Sequence, residues 1–312
     1  MLSVIIVDYR SINKTIEYIK ELYESIVDVQ KIHFVIVDNA YEVDTPAKIE
    51  KLTGVKYYRQ TTKAGIPVYI YSLNDYLIIY CTSQENLGYA KGNNLGAFVA
   101  EDLFQDEILL ISNNDLKFNQ PISLKRIRDL YMEKPDVAVI GPRVIGLDSK
   151  PQSPHKKVGA FDALVKYYWA AATGFRLFKD SSDLDYTGTS KYCYRVMGCF
   201  MFIKSKAFFD CNGFDTNTFM YAEESILSEK LNKIGLKTYF MDEIEVIHAH
   251  GESVKSAAAT ETSLRWSFES VRYYFKEYRN LNIALEKYAN INFEIYILYY
   301  TTKERIKRLF KF

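Results

Sequence analysis

The sequence predicts an α/β fold that opens with a parallel βαβ unit, and three features carry that prediction. An apolar run, an amphipathic stretch and a second apolar run follow one another within the first 40 residues. A further apolar run, Glu107–Ser112, ends like the first two in amide and carboxylate side chains, at Asn113-Asn114-Asp115. The composition, 48% hydrophobic and 25% charged over 312 residues, is that of a globular chain able to bury a large core.

The elements follow in order. Leu2 to Val7 (LSVIIV) reads as a buried strand ending at Asp8-Tyr9-Arg10. Asn13 to Val27 sets Ile16, Ile19, Leu22, Tyr23 and Ile26 at helical spacing. His33 to Val37 is a second buried strand, ending at Asp38-Asn39. Strand, helix and strand so close together form a βαβ unit, with parallel strands and a right-handed crossover. Ligands of such sheets sit beyond the carboxyl ends of the strands, which places Asp8 and Asp38 beside a ligand. Val68–Tyr71 and Tyr76–Tyr80 read as strands or short helical pieces, between loops at Gly54 and Gly65–Pro67. Glu85 to Gly96 is a glycine-rich turn entering a helix that runs through Ala100. Glu107–Ser112 is a buried strand leading to Asn113-Asn114-Asp115; a helix over Pro121–Lys134 and a strand over Val137–Gly141 follow. Ser149–Ser190 is polar and aperiodic, and is expected to include a mobile loop. Beyond it come a strand over Arg195–Ile203, a turn at Cys211–Asp215, a helix over Glu223–Ile234 and a strand over Thr238–Val246. That strand leads into His248-Ala-His250-Gly251-Glu-Ser253, and from about Thr260 the pattern is helical to the end.

Composition excludes several classes. Forty Lys+Arg against 39 Asp+Glu leave +1, which argues against a surface built to grip nucleic acid. The first residues show no secretory signal, and no apolar stretch reaches membrane-spanning length. Cys81, Cys193, Cys199 and Cys211 form no C-x-x-C pair and are expected to be reduced, as in a cytoplasmic protein. The unusual feature is the aromatic load: 26 Tyr, 19 Phe and 2 Trp, or 15%.

Several residues can carry chemistry, and each has a plainer alternative. Asp115, at a strand end, can ligate a divalent cation or form an Asx turn. Glu223 and Glu224, at a helix start, can supply a general base or simply favour the helix dipole. His248 and His250 are half of the four histidines and sit after a strand, where they suit a metal, a phosphate or a structural role. Gly88 and Gly92 can let backbone approach a ligand closely, although the loop is neither G-x-G-x-x-G nor a Walker A loop.

The order of these pieces is more specific than any one of them. The series is Asp8-Tyr9, Asp38-Asn39, Asn86-Leu-Gly-Tyr-Ala-x-Gly-x-Asn-x-Gly96, Asn113-x-Asp115, Met197–Lys204, Gly213-Phe-Asp215, Phe219-Met-Tyr-Ala-Glu-Glu224 and Val246-x-His248-x-x-Gly251-x-Ser253. Over roughly residues 2 to 255 it resembles the family 2 glycosyltransferases of GT-A fold, in particular the bacterial rhamnosyltransferase-like branch. The resemblance implies a Rossmann-like mixed sheet flanked by helices, a nucleotide-diphosphate sugar donor, Mn²⁺ or Mg²⁺, and inverting transfer to a saccharide or lipid-linked acceptor in cell-surface polysaccharide synthesis. It implies a nucleotide-sugar half over 1–115, an acceptor half over 116–255 and a helical extension over 256–312. It assigns donor contacts to Tyr9, Asp38, Asn86, Gly88, Lys91, Asn113 and Asn114, and the metal to Asp115 and His248. It assigns the base to Glu224, with Glu223 as the alternative. The chain departs from the family at Asp8-Tyr9-Arg10, where Thr-Tyr-Asn is usual, and at Glu223-Glu-Ser-Ile-Leu227, where the pattern is Glu-Asp-x-Asp-Leu.

Two other classes compete. A sugar nucleotidyltransferase would want a glycine- and basic-rich loop after the first strand, and Asp8-Tyr-Arg-Ser-Ile-Asn13 has no glycine. An inactive glycosyltransferase-like binding module would lack the base or the metal carboxylate, and both residue types are present. Outside the motifs, Phe293–Tyr300 is apolar and aromatic. In the last ten residues Lys303, Arg305, Lys307, Arg308 and Lys311 outweigh Glu304, for +4. The stretch 293–312 is therefore expected either to touch the inner face of a membrane or to pack on the catalytic domain.

Overall fold

The computed structural model describes residues 1–28, 31–40, 42–73, 75–169, 183–249 and 257–309. His250, Gly251 and Ser253 of the histidine motif, part of the 149–190 stretch and the last three residues lie outside these.

The predicted βαβ unit is present: β1 (Leu2–Asp8), α1 (Ile12–Ser25) and, after the two-residue β2 (Ile26–Val27), β3 (Ile32–Asp38). β1 pairs with β3 in parallel, in a register that sets Asp8 beside Asp38. α2 (Thr45–Thr53) follows, with Pro46 in its first turn and left-handed Gly54 closing it. The ambiguous stretch after it is three strands: β4 (Tyr57–Thr61), β5 (Pro67–Ser72) and β6 (Tyr76–Thr82). Next come α3 (Gly88–Leu103), β7 (Ile108–Ser112), the short β8 (Leu116–Lys117) and β9 (Ile122–Ser123), α4 (Leu124–Glu133) and β10 (Val137–Gly146). The second half adds β11 (Lys191–Cys193), β12 (Phe200–Lys204), α5 (Ser205–Asp210), α6 (Glu223–Lys233) and β13 (Lys237–His248). α7 (Ala257–Tyr278) and α8 (Ile283–Leu309) complete the described chain.

One eleven-stranded mixed sheet unites the halves, in the order β11-β13-β10-β12-β7-β1-β3-β6-β5-β4 with β8 added to β13. β1, β3, β6 and β7 are mutually parallel, so Asp8, Asp38 and Asn113 emerge on one edge. Both faces are apolar, which is why the strands read as continuous hydrophobic runs. Leu2, Val4 and Ile6 pack with α1 and α4, whereas Ile5, Val35 and Val37 pack with α3, α5 and α6.

One expectation needs correction, and the unassigned stretch before it gains an element. The strand read from Arg195 begins only at Phe200; residues 195–199 are irregular because they bend around the site described below. The aperiodic 149–190 stretch contains helix over 160–169 with a π-helical turn at Asp162–Lys166. That turn buries Leu164 and Val165 against α7 and α8, so its periodicity is not that of an α-helix.

Candidate active site

At the β1–β3 edge the carboxylates are held by the fold. Asp8 accepts the Ser11 N–H (3.1 Å), the Ser11 hydroxyl (2.7 Å) and the Thr15 hydroxyl (2.6 Å), and so caps α1 from outside it. The Asn114 amide enters the same knot, donating to Ser11 Oγ (2.8 Å) and Thr15 Oγ1 (2.6 Å). Asp38 accepts the Tyr80 hydroxyl and the Ala40 N–H, each at 2.8 Å. Tyr9 is 52% exposed, with the Arg10 guanidinium 5.2 Å from its ring centre. Asp8, Arg10, Asp38 and Lys48 line a cleft of about 630 Å³ between the starts of α1 and α2.

The glycines of the loop and of α3 lie against protein. Asn86 Oδ1 accepts the Gly88 N–H at 3.0 Å and shapes the turn into α3. Gly88, at φ +70°, meets the Phe219 backbone: a Cβ there would overlap the Phe219 carbonyl oxygen. The same carbonyl accepts the Tyr89 N–H at 2.9 Å. Further along α3, Gly92 lies on Val7 and Gly96 on Ile5 and Val37. Among these glycines the close approach is thus to protein, joining α3 to β1 and to the Phe219 loop. Lys91 is exposed near the start of α3.

A second constellation forms where β7 ends. β8 pairs antiparallel with the end of β13, His248 opposite Leu116, which brings Asp115 to His248. His248 is 1% exposed, and its Nε2 lies 3.4 Å from Asp115 Oδ1. Its Nδ1 is 3.0 Å from Gln152 Oε1. An amide oxygen only accepts, so Nδ1 carries the proton, and in the neutral ring the Nε2 lone pair faces Asp115. A carboxylate oxygen and an imidazole nitrogen suit a first-row divalent cation. No group of three or more His, Cys, Asp or Glu able to hold a metal occurs among the described residues. The protein would supply two ligands, leaving positions for phosphate oxygens and water.

Glu223 and Glu224 open α6 behind two left-handed residues, Tyr221 (φ 75°) and Ala222 (φ 67°). Such backbone costs on the order of 1–2 kcal/mol per residue, and the surroundings hold it in place. The Ser270 hydroxyl donates to the Met220 carbonyl at 2.7 Å, Tyr221 and Ser263 share a hydrogen bond, and the Phe219 ring lies 4.5 Å from Trp266. Glu224 Oε1 accepts the Gly198 N–H at 2.9 Å, and a Cβ on Gly198 would overlap that oxygen. Glu223 is only 3% exposed; burial, and then the neighbouring Glu224 charge, push its carboxyl up to about 8.

A cavity of about 750 Å³ draws the predictions together: Asn113, Glu223, Glu224 and His248 all line it. Asp38 lines the other cleft instead, and Asn114 is engaged in the hydrogen-bond knot at the start of α1. Tyr89, Gln152 and Gly198 also line the cavity and went unassigned in the sequence. Tyr89 belongs to the Asn86–Gly96 motif and Gly198 to Met197–Lys204, so the signal for both is their place in the ordered series. Gln152 lies in an aperiodic stretch that gives no signal.

No family model matches the chain. It is 24% identical over 184 residues to N-acetylglucosaminyl-diphospho-decaprenol L-rhamnosyltransferase of Mycobacterium tuberculosis, over 54% of this chain and 57% of that protein. It is 32% identical over 152 residues to the low-salt glycan biosynthesis hexosyltransferase Agl10 of Haloferax volcanii, over 48% of this chain and 38% of that protein. The chain thus spans only part of the length of these curated relatives. In structure it is similar to GalNAc-T7 with UDP, GalNAc and Mn²⁺ (TM-score 0.56, 13% identity, 95% of this chain and 56% of that one). It is also similar to the Pyrobaculum calidifontis mannosyltransferase PcManGT with GDP-Man and Mn²⁺ (TM-score 0.51, 14% identity, 96% and 73%). The class is therefore defined: this chain has the GT-A fold of glycosyltransferases. Its matched sequence relatives are themselves glycosyltransferases, so the resemblance carried by the motifs holds.

Proposed function

We propose that the chain is an inverting, metal-dependent hexosyltransferase. It would move a sugar from a nucleotide diphosphate to a saccharide or lipid-linked saccharide in cell-surface polysaccharide synthesis, working at the cytoplasmic face of the membrane. The observation that carries this reading is the shared cavity of Asn113, Glu223, Glu224 and His248, drawn from distant stretches. Residues 1–115 serve the nucleotide sugar and 116–255 the acceptor. Asp115 and His248 would hold Mn²⁺ or Mg²⁺, which would supply charge neutralisation for the leaving diphosphate.

Glu224 is the base. The Gly198 N–H fixes one of its oxygens and leaves the other for an acceptor hydroxyl. As the hydroxyl proton passes to Glu224, the acceptor oxygen bonds to the anomeric carbon, and the bond to the diphosphate breaks on the opposite face. Glu223, held protonated near neutrality, adds no second negative charge beside the base.

The test is an assay of nucleotide release with Mn²⁺ over a panel of nucleotide sugars, with thermal stabilisation as a second readout. One donor is expected to stabilise the chain and turn over. Glu224→Gln should lower kcat by about 10²- to 10⁴-fold with donor affinity preserved. Asp115→Ala should weaken donor binding only when Mn²⁺ is present. Near-wild-type turnover of Glu224→Gln removes the base assignment, and a chain that no nucleotide sugar stabilises removes the reading as a whole.

A further inference from the structure

α8 has two apolar faces, and the fold uses one of them. Ala289, Phe293, Tyr296 and Ile297 are buried against α7 and the 160–169 helix. The opposite face carries Tyr288, Ile291, Ile295, Leu298, Tyr299 and Ile306, of which Ile291, Ile295 and Leu298 are 62%, 61% and 69% exposed. Steps of three and four residues keep these side chains on one stripe about 27 Å long, at 1.5 Å of rise per residue. A helix apolar all round is normally buried, so an outward stripe of this length marks a contact surface.

We propose that this outer face docks the protein onto an anionic lipid surface. Charge decides the occupant. Exposed Lys287, Lys303 and Arg305 flank the stripe, and the Lys303 ammonium lies 5.6 Å from the Tyr299 ring centre. The acids nearby are engaged: Glu294 with Arg265 at 2.9 Å, Glu304 with Lys307 at 2.6 Å. An apolar stripe rimmed by cations suits acyl chains below and anionic headgroups above. A second copy of the chain fits worse, because parallel pairing of two α8 helices puts Lys303 and Arg305 against each other, and antiparallel pairing puts them against Lys287. The helix lies on the surface: among the described residues no helix is long and apolar enough to cross a membrane.

The purpose of this contact, bringing a lipid-linked acceptor to the cavity, rests on the transferase reading, but its test needs neither donor nor acceptor. The full chain is floated with vesicles of phosphatidylcholine alone or mixed with phosphatidylglycerol. Wild type should partition at least about tenfold better onto the anionic vesicles and come off as salt rises. Ile291→Asp/Leu298→Asp and, separately, Lys303→Glu/Arg305→Glu should each lower that partition by about tenfold or more, with the melting temperature unchanged. Because all four positions are exposed, the core is untouched. The proposal is overturned if wild type ignores both vesicles or if both double variants float like wild type. It is equally overturned if light scattering shows a wild-type dimer that Ile291→Asp/Leu298→Asp turns into a monomer. Failure here would leave the nucleotide-sugar assay standing, and failure of that assay would leave vesicle binding standing.

Discussion

Glu223 and Glu224 are neighbours in the chain but occupy different surroundings. Glu224 is half-buried and hydrogen-bonded to the Gly198 N–H, whereas Glu223 is sealed in with its Oε1 buried and unbonded. A buried acid raised to about 8 binds its proton more tightly folded than unfolded. Its contribution is therefore fully favourable below the ordinary carboxylate range and is lost as pH rises towards 8. Glu223→Gln should leave the melting temperature near wild type at pH 4. Its advantage should grow to the order of a few kcal/mol by pH 9, where wild type carries a buried charge. Thermal unfolding of both proteins across that range checks this, and an offset independent of pH would contradict the assignment. The pair itself was legible as two acids at a helix start. Their unequal burial was not, because it depends on Gly198 and Tyr89 arriving from other elements.

Helix α3 shows what the glycines of the Asn86–Gly96 motif do. Gly96 sits in the middle of the helix, where an alanine would ordinarily be favoured by roughly 1 kcal/mol. Here a Cβ would overlap Ile5 Cγ2 and come within 3.0 Å of Val37 Cγ2. Those side chains are backed by β1 and β3 and cannot withdraw. Gly96→Ala is therefore expected to destabilise by about 1–3 kcal/mol in urea unfolding, opposite in sign to an exposed helical site. The motif was readable as a pattern, but its reason was not: spacing cannot distinguish backbone approaching a phosphate from backbone approaching a strand. β4 (YYRQT) escaped the sequence reading for a related reason, since an exposed edge strand shows no apolar alternation.

At the scale of the molecule, the aromatic load is shared between the core on the two faces of the sheet and the interface between the C-terminal helices and the rest. Within the aromatic cluster from Tyr273 to Tyr300, Tyr274, Phe275, Phe293 and Tyr296 are buried. Tyr273 and Tyr278 donate to Asp215 at 2.9 and 2.5 Å. Phe268 and Phe293 stack at 4.0 Å. Because α7 also holds the Phe219–Ala222 loop, the extension supports the site. Phe293→Ala should cost about 3–5 kcal/mol in denaturant unfolding. A loss of turnover in protein that is still folded should accompany it, as the loop beneath Glu223 loosens. Full turnover at that lowered stability would show that the loop holds without α8.

The sequence by itself determined the α/β class, the parallel βαβ start and the ordered motifs of the glycosyltransferase resemblance. These are set by local apolar runs and by residues close together in the chain. The tertiary structure alone decided which polar residues face a cavity and which serve the framework: His248, Glu224 and Gln152 line the cleft and Asp115 lies beside His248, while Asn114 donates to the Ser11 and Thr15 hydroxyls at the start of α1. It also decided which face of α8 is core and which is bare. The physical reason is common to both. Burial and hydrogen bonding depend on what arrives from elsewhere in the chain, and a one-dimensional pattern fixes periodicity but not the partner across the gap.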